Sequence, residues 1–105
     1  MTNIVRVLPY KSEPEQAEVW ATSVFPLADY RLLLQFNTGE RRIFNCKTIL
    51  YNREFMALLS PEKFNKVVIF NGDAAWPEEK VGLSGEALYF ESTPANEAID
   101  KVFPF

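Results

Sequence analysis

Two stretches of alternating apolar and polar residues in this chain are each interrupted by a short turn sequence. The turn sequences are Asn37-Thr38-Gly39 and Asn71-Gly72, and both contain the residue types that tolerate a positive φ at least steric cost. A period of two residues on both sides of such a turn is typical of a β-hairpin. The pattern therefore predicts two hairpins, with strands at about 30–36, 40–44, 66–70 and 74–76.

The turn of the first hairpin also predicts its register. With Asn37 and Thr38 at the centre of a type I turn, Gly39 adopts the left-handed conformation of a bulge, and Leu34 then faces Arg42. Because side chains alternate across a strand, one face of this hairpin is largely apolar, and we expect it to face the core. The apolar residues on that face are Tyr30, Leu32, Leu34, Phe36 and Phe44.

The remaining elements are shorter. Residues 19–25 are rich in β-branched and aromatic side chains and predict a further strand. Between the hairpins, apolar residues recur near helical spacing over 47–59, with Asn52 as a candidate N-cap within the segment. Ser84 is a candidate N-cap for a second helix at about 85–91. Together these elements predict an α+β fold, with an antiparallel sheet built from two hairpins and short helices.

The length of 105 residues predicts a single domain over 1–105, and 48% hydrophobic residues suffice for a packed core. We treat 1–18 as an N-terminal extension and 92–105 as an apolar C-terminal tail. No apolar run approaches the ~20 residues of a membrane span, so we expect no membrane association. A lone cysteine agrees with a reducing compartment, and we expect a cytoplasmic protein.

Charge is unevenly distributed along the chain. The net charge is −3, which argues against a dedicated nucleic-acid binder, yet residues 41–66 hold six basic and two acidic side chains between acidic flanks. This basic segment either marks a surface for a partner or pairs internally after folding. Its candidate partner-surface residues are Arg41, Arg42, Lys47, Arg53, Lys63 and Lys66.

Candidate chemistry is sparse. The chain contains no histidine, which removes the commonest general base and the usual nucleophile pairs. We interpret Cys46 as a small buried apolar residue rather than a reactive thiol. We interpret Glu78 and Glu79, which are neighbours in the sequence, as solvated charges of a loop. We therefore predict no catalytic residues, no metal site and no cofactor. Trp76 beside Pro77 is either a core side chain or the lining of a ligand groove.

An ordered set of residues over about 20–90 resembles a small bacterial family named only as domain of unknown function 2442. The chain departs from the family pattern at Asn45, where relatives commonly have Asp, and in its two terminal extensions. The residues that carry the resemblance are Val24-Phe25-Pro26-Leu27, Asp29-Tyr30, Leu32, Leu34, Phe36, Gly39-Glu40, Arg42, Phe44, Phe55, Leu58, Phe64, Val67, Ile69, Trp76-Pro77, Leu83-Ser84 and Leu88-Tyr89.

The resemblance implies a small α+β domain that occurs alone or fused to helix-turn-helix regulators, with an antitoxin-like role in some relatives. It supplies no catalytic residues, and 105 residues leave no room for an added DNA-binding domain. Our leading hypothesis is a non-catalytic protein-interaction or regulatory module that binds a protein partner or forms a homodimer. The alternative is a nucleic-acid-binding regulator that uses the basic segment 41–66, and the third is a histidine-free enzyme or small-ligand binder.

Overall fold

The first sheet contains the predicted long hairpin. A computed structural model of the chain describes residues 18–95, and the predicted tail beyond residue 95 and nearly all of the N-terminal extension lie outside this range. Four strands form the sheet in the order β1-β2-β3-β7. They are β1 (Ala21–Leu27), β2 (Arg31–Phe36), β3 (Arg41–Asn45) and β7 (Thr93–Pro94), and each neighbouring pair is antiparallel.

The second hairpin belongs to a separate three-stranded antiparallel sheet, in the order β4-β5-β6. Its strands are β4 (Val68–Phe70), β5 (Asp73–Trp76) and β6 (Val81–Leu83). The predicted α+β class is confirmed, but the strands divide between two sheets. The short strands β6 and β7 have no predicted counterpart, because three and two residues are too few for an alternating pattern.

The predicted register of the first hairpin is confirmed. Leu34 pairs with Arg42 and Leu32 with Phe44. The Gly39 N–H donates to the Phe36 carbonyl at 2.8 Å, and Gly39 has a φ of 92°, in the left-handed region that favours glycine. The turn sequence therefore fixed which residues of β2 face the core.

The turn between β1 and β2 is unusual because two side-chain-bearing residues adopt positive φ. Asp29 has a φ of 69° and Tyr30 a φ of 59°. The Tyr30 hydroxyl donates to the Leu59 carbonyl, and the Asp29 carboxylate accepts a hydrogen bond from Lys47 Nζ at 2.8 Å. These tertiary contacts hold both residues in a conformation that costs about 1–2 kcal/mol for a residue other than glycine.

Between the sheets the chain forms short helical turns instead of a continuous α-helix. Two 3₁₀ segments cover Cys46–Thr48 and Arg53–Leu59, and α1 is a single turn at Pro61–Phe64. The predicted helix start after Asn52 is confirmed, although the Asn52 side chain makes no capping hydrogen bond. A helical segment of seven residues, whether 3₁₀ or α, is too short to be stable through its local hydrogen bonds alone, so tertiary packing sets the geometry of Arg53–Leu59.

The second predicted helix is present as α2 (Gly85–Glu91), and the Ser84 hydroxyl accepts a hydrogen bond from the Ala87 N–H at 3.1 Å, as an N-cap does. The core lies between the sheets and the helical turns. Its largest fully buried side chains include Trp76, Phe36, Phe55 and Phe64. The predicted core face is confirmed for Leu32, Leu34, Phe36 and Phe44, with Tyr30 packed partly buried against them.

Candidate functional site

A groove opens where the end of β5 meets the start of β4 and the end of α1. Its volume is about 300 Å³. The predicted groove pair Trp76 and Pro77 lies in it, together with two members of the predicted basic set. The residues that line the groove are Lys63, Lys66, Val68, Trp76, Pro77, Glu78 and Glu79.

The floor of this groove is a fixed aromatic side chain. Trp76 is only 1% exposed, and its indole Nε1 donates to the Phe64 carbonyl at 2.8 Å. The Phe64 ring lies 5.9 Å from the indole centroid and the Phe55 ring 6.5 Å from it, the latter edge to face. Trp76 is therefore a core side chain, as one of the two interpretations of the sequence had it, and it borders the groove with almost none of its surface exposed.

The rim of the groove carries charges of both signs. Lys63 and Lys66 come from α1 and the connection to β4, whereas Glu78 and Glu79 belong to a 3₁₀ turn at Pro77–Glu79. Lys66 Nζ lies 3.8 Å from Glu78 Oε1, and both side chains are largely exposed. An exposed ion pair contributes about 0–1 kcal/mol, so a binding partner can open it at little cost.

The predicted basic residues do not all serve this groove. Arg42 donates from Nε to Ser92 Oγ at 2.8 Å and from one terminal nitrogen to the Ser92 carbonyl at 2.7 Å, and its guanidinium lies 4.8 Å from the Tyr89 ring centroid. Lys47 pairs with Asp29. Within the described part of the chain, carboxylates lie within 4 Å of Arg42, Lys47 and Lys66, and they belong to Glu40, Asp29 and Glu78 respectively.

These ion pairs change the acidity of their carboxyl groups. The hydrogen bond from Lys47, together with its charge, lowers the pKa of Asp29. The hydrogen bond that Tyr89 donates to Glu40 lowers the pKa of Glu40 and raises that of the Tyr89 hydroxyl. The Asp29–Lys47 and Glu40–Tyr89 contacts each join distant parts of the chain. The pKa shifts follow from these structural contacts.

Cys46 and Asp73 are the titratable groups that burial affects most. Cys46 is fully buried, and desolvation raises the pKa of its thiol far above the usual range, so the reactive thiolate is suppressed. Burial also raises the pKa of Asp73, although the Gly85 N–H donates to Asp73 Oδ1 at 2.8 Å and partly opposes the shift. Within residues 18–95 no three His, Cys, Asp or Glu side chains come together as a metal site.

The sequence offers the residues of this groove only as separate candidates. Trp76 and Pro77 are candidate groove residues and Lys63 and Lys66 candidate partner-surface residues, and the sequence does not place the two pairs together. The sequence predicts only that Val68 lies in a strand. It does not predict that the Val68 side chain is 43% exposed and lines the groove with Trp76.

Fold and groove define a small α+β domain with two antiparallel sheets and a charged, aromatic-floored groove. Residues 21–94 match the model of a family described as protein of unknown function (DUF2442), and the chain belongs to that family. No curated protein and no solved structure matches the chain significantly. Across the described residues, no helix has the length and apolar character needed to traverse a lipid bilayer.

Proposed function

We propose that this chain is a non-catalytic protein-interaction or regulatory module that binds its partner through the groove beside Trp76. The observation that carries the proposal is a groove of about 300 Å³ in which the exposed residues Val68 and Pro77 lie beside a buried, hydrogen-bonded indole. A floor that is already fixed before binding loses little conformational entropy when a partner covers it. Val68, which is 43% exposed, and the exposed Pro77 supply the apolar surface that a partner would cover.

The chemistry of the chain supports binding over catalysis. It has no histidine, and its single cysteine has a thiol whose raised pKa keeps it protonated. The family resemblance adds an antitoxin-like role as one form of the proposal, in which the groove covers a segment of a toxin. We also propose a cytoplasmic location, because a free, buried cysteine is suited to a reducing compartment.

The proposal is tested by affinity capture of partners from the native host at near-physiological salt, with nuclease treatment to remove nucleic acid. Val68→Asp places a charge beside the groove floor. Met56→Asp is the matched control, because Met56 is exposed to a similar extent, 50% against 43%, and does not line the groove. Thermal melting first establishes that both variants fold.

We expect the wild-type chain and Met56→Asp to retain one stoichiometric protein, and Val68→Asp to lose it. Adding that purified protein should shift the indole N–H resonance of Trp76 in an NMR spectrum. Equal capture by both variants, or an unmoved Trp76 resonance, would refute the groove as the binding site. Recovery of nucleic acid alone, with binding that falls steeply with salt, would favour the alternative role of the basic segment.

Self-association through the same groove is a version of this proposal. Light scattering of the wild-type chain and of Val68→Asp distinguishes it, since only the wild type should then form a dimer. A strict monomer in both samples removes that version and leaves a different protein as the partner.

A further inference from the structure

We infer that the groove receives a peptide segment in which one large apolar side chain lies between an acidic and a basic residue. This inference rests on the interaction role proposed above and adds the chemistry of the partner. It follows from the size of the cavity, from the distribution of charge on its rim, and from the ion pair between Lys66 and Glu78.

The size of the groove limits what can enter it. A volume of about 300 Å³ lies at the lower end of the range for small-molecule sites, so the groove suits an anchoring side chain and the backbone beside it. Its exposed apolar surface comes mainly from Val68, which is 43% exposed, and from the exposed Pro77, because Trp76 is only 1% exposed. A large aliphatic or aromatic side chain would cover this surface and remove it from water, which supplies the affinity.

The rim determines which residues flank that side chain. The lysines and the glutamates come from different elements, so the groove has a basic wall and an acidic wall. Lys66 Nζ and Glu78 Oε1 lie 3.8 Å apart, so the basic and the acidic wall approach each other at this exposed pair. A segment that binds here can open this weak, exposed pair and form an ion pair with each of its members.

A partner with one acid and one base replaces both halves of the opened ion pair. A partner whose flanking charges have a single sign gains one contact and is repelled by the opposite wall, so the rim selects against it. The same repulsion from Glu78 and Glu79 acts against a polyanion such as nucleic acid. Opposite flanking charges are therefore the feature that distinguishes the preferred segment from other apolar peptides.

A random peptide library displayed on phage and selected on the wild-type chain tests the inference. We expect enriched peptides to share a large apolar residue between Asp or Glu on one side and Lys or Arg on the other, and to lose binding to Val68→Asp. Enrichment that depends on Val68 but lacks opposite flanking charges would overturn this inference and leave the proposed function intact. No enrichment that depends on Val68 would count against both.

A charge exchange tests the polarity directly. The fourfold variant Lys63→Glu, Lys66→Glu, Glu78→Lys and Glu79→Lys retains the net charge and reverses both walls of the rim. We expect its affinity for the selected peptide to fall about fivefold to tenfold, and a peptide with its two charges exchanged to bind it better than it binds the wild type. Arg53→Glu, which reverses a charge outside the groove, should bind as the wild type does. Equal affinity of both peptides for both rims would reject the inference.

Discussion

Removing the indole of Trp76 should destabilise the domain severely. Trp76→Ala deletes a side chain that is 1% exposed and packs against two phenylalanine rings, and truncations of this kind cost about 3–5 kcal/mol. The substitution also leaves the Phe64 carbonyl without the N–H donor that lies 2.8 Å away, which places the expected loss in the upper half of that range. This is a large share of the roughly 5–15 kcal/mol by which small domains are stable.

The loss is measured by chemical denaturation followed by far-ultraviolet circular dichroism, with thermal melting in parallel. At roughly 4–8 °C per kcal/mol for a domain of about this size, the melting temperature of Trp76→Ala should fall by at least about 16 °C. Trp76→Phe, which keeps most of the ring but not the donor, should lie between parent and Trp76→Ala. Trp20→Ala is the control, because Trp20 is 49% exposed and its removal should cost roughly half as much or less. A Trp76→Ala variant within about 1 kcal/mol of the parent would refute the assignment of Trp76 to the core.

Three further predictions concern turns, acidity and thiol reactivity. Gly72→Ala should lower the melting temperature more than Gly39→Ala. A Cβ at Gly72 would lie 2.6 Å from Trp20 Cβ, whereas a Cβ at Gly39 meets nothing within 4 Å. Equal shifts in melting temperature would contradict the close approach of Trp20 to Gly72. The raised pKa of Asp73 makes its ionised form unfavourable in the fold, so stability is lost as pH rises from its ordinary pKa through the folded value. Asp73→Asn should therefore gain stability over the parent in denaturation at pH 7 but much less at pH 3, and a gain independent of pH would contradict this. Cys46 should resist Ellman's reagent in the native chain and react after unfolding, and rapid reaction of the folded protein would show that the thiol is accessible.

The parts of the fold that the sequence predicted are those determined by local chemistry. Asn37-Thr38-Gly39 specified both the turn and the register of β2 against β3, because only one bulge geometry suits a glycine at the third position. Ser84 marked the start of α2 for a similar reason, since its hydroxyl caps the helix within four residues.

The parts that the sequence did not predict depend on contacts between distant residues. The strand β1 covers Ala21–Leu27 instead of the predicted 19–25, and it includes Pro26 because an edge strand tolerates a proline. Leu33 is fully buried although it lies on the face of β2 opposite the core, and no local pattern indicates this. The groove likewise combines residues from α1, β4 and the turn after β5, whose proximity only the tertiary structure reveals.

The tight turn at Asp29 and Tyr30 has a consequence for how the domain folds. Its left-handed backbone is stabilised by bonds to Lys47 and Leu59, which lie 18 and 29 residues further along the chain. An isolated β1–β2 peptide lacks both anchors, so it would bear the conformational cost of the turn without compensation. Formation of the β1–β2 pair is thus thermodynamically coupled to ordering of the two 3₁₀ segments. The contacts of Asp29 and Tyr30 make the folding of these elements cooperative.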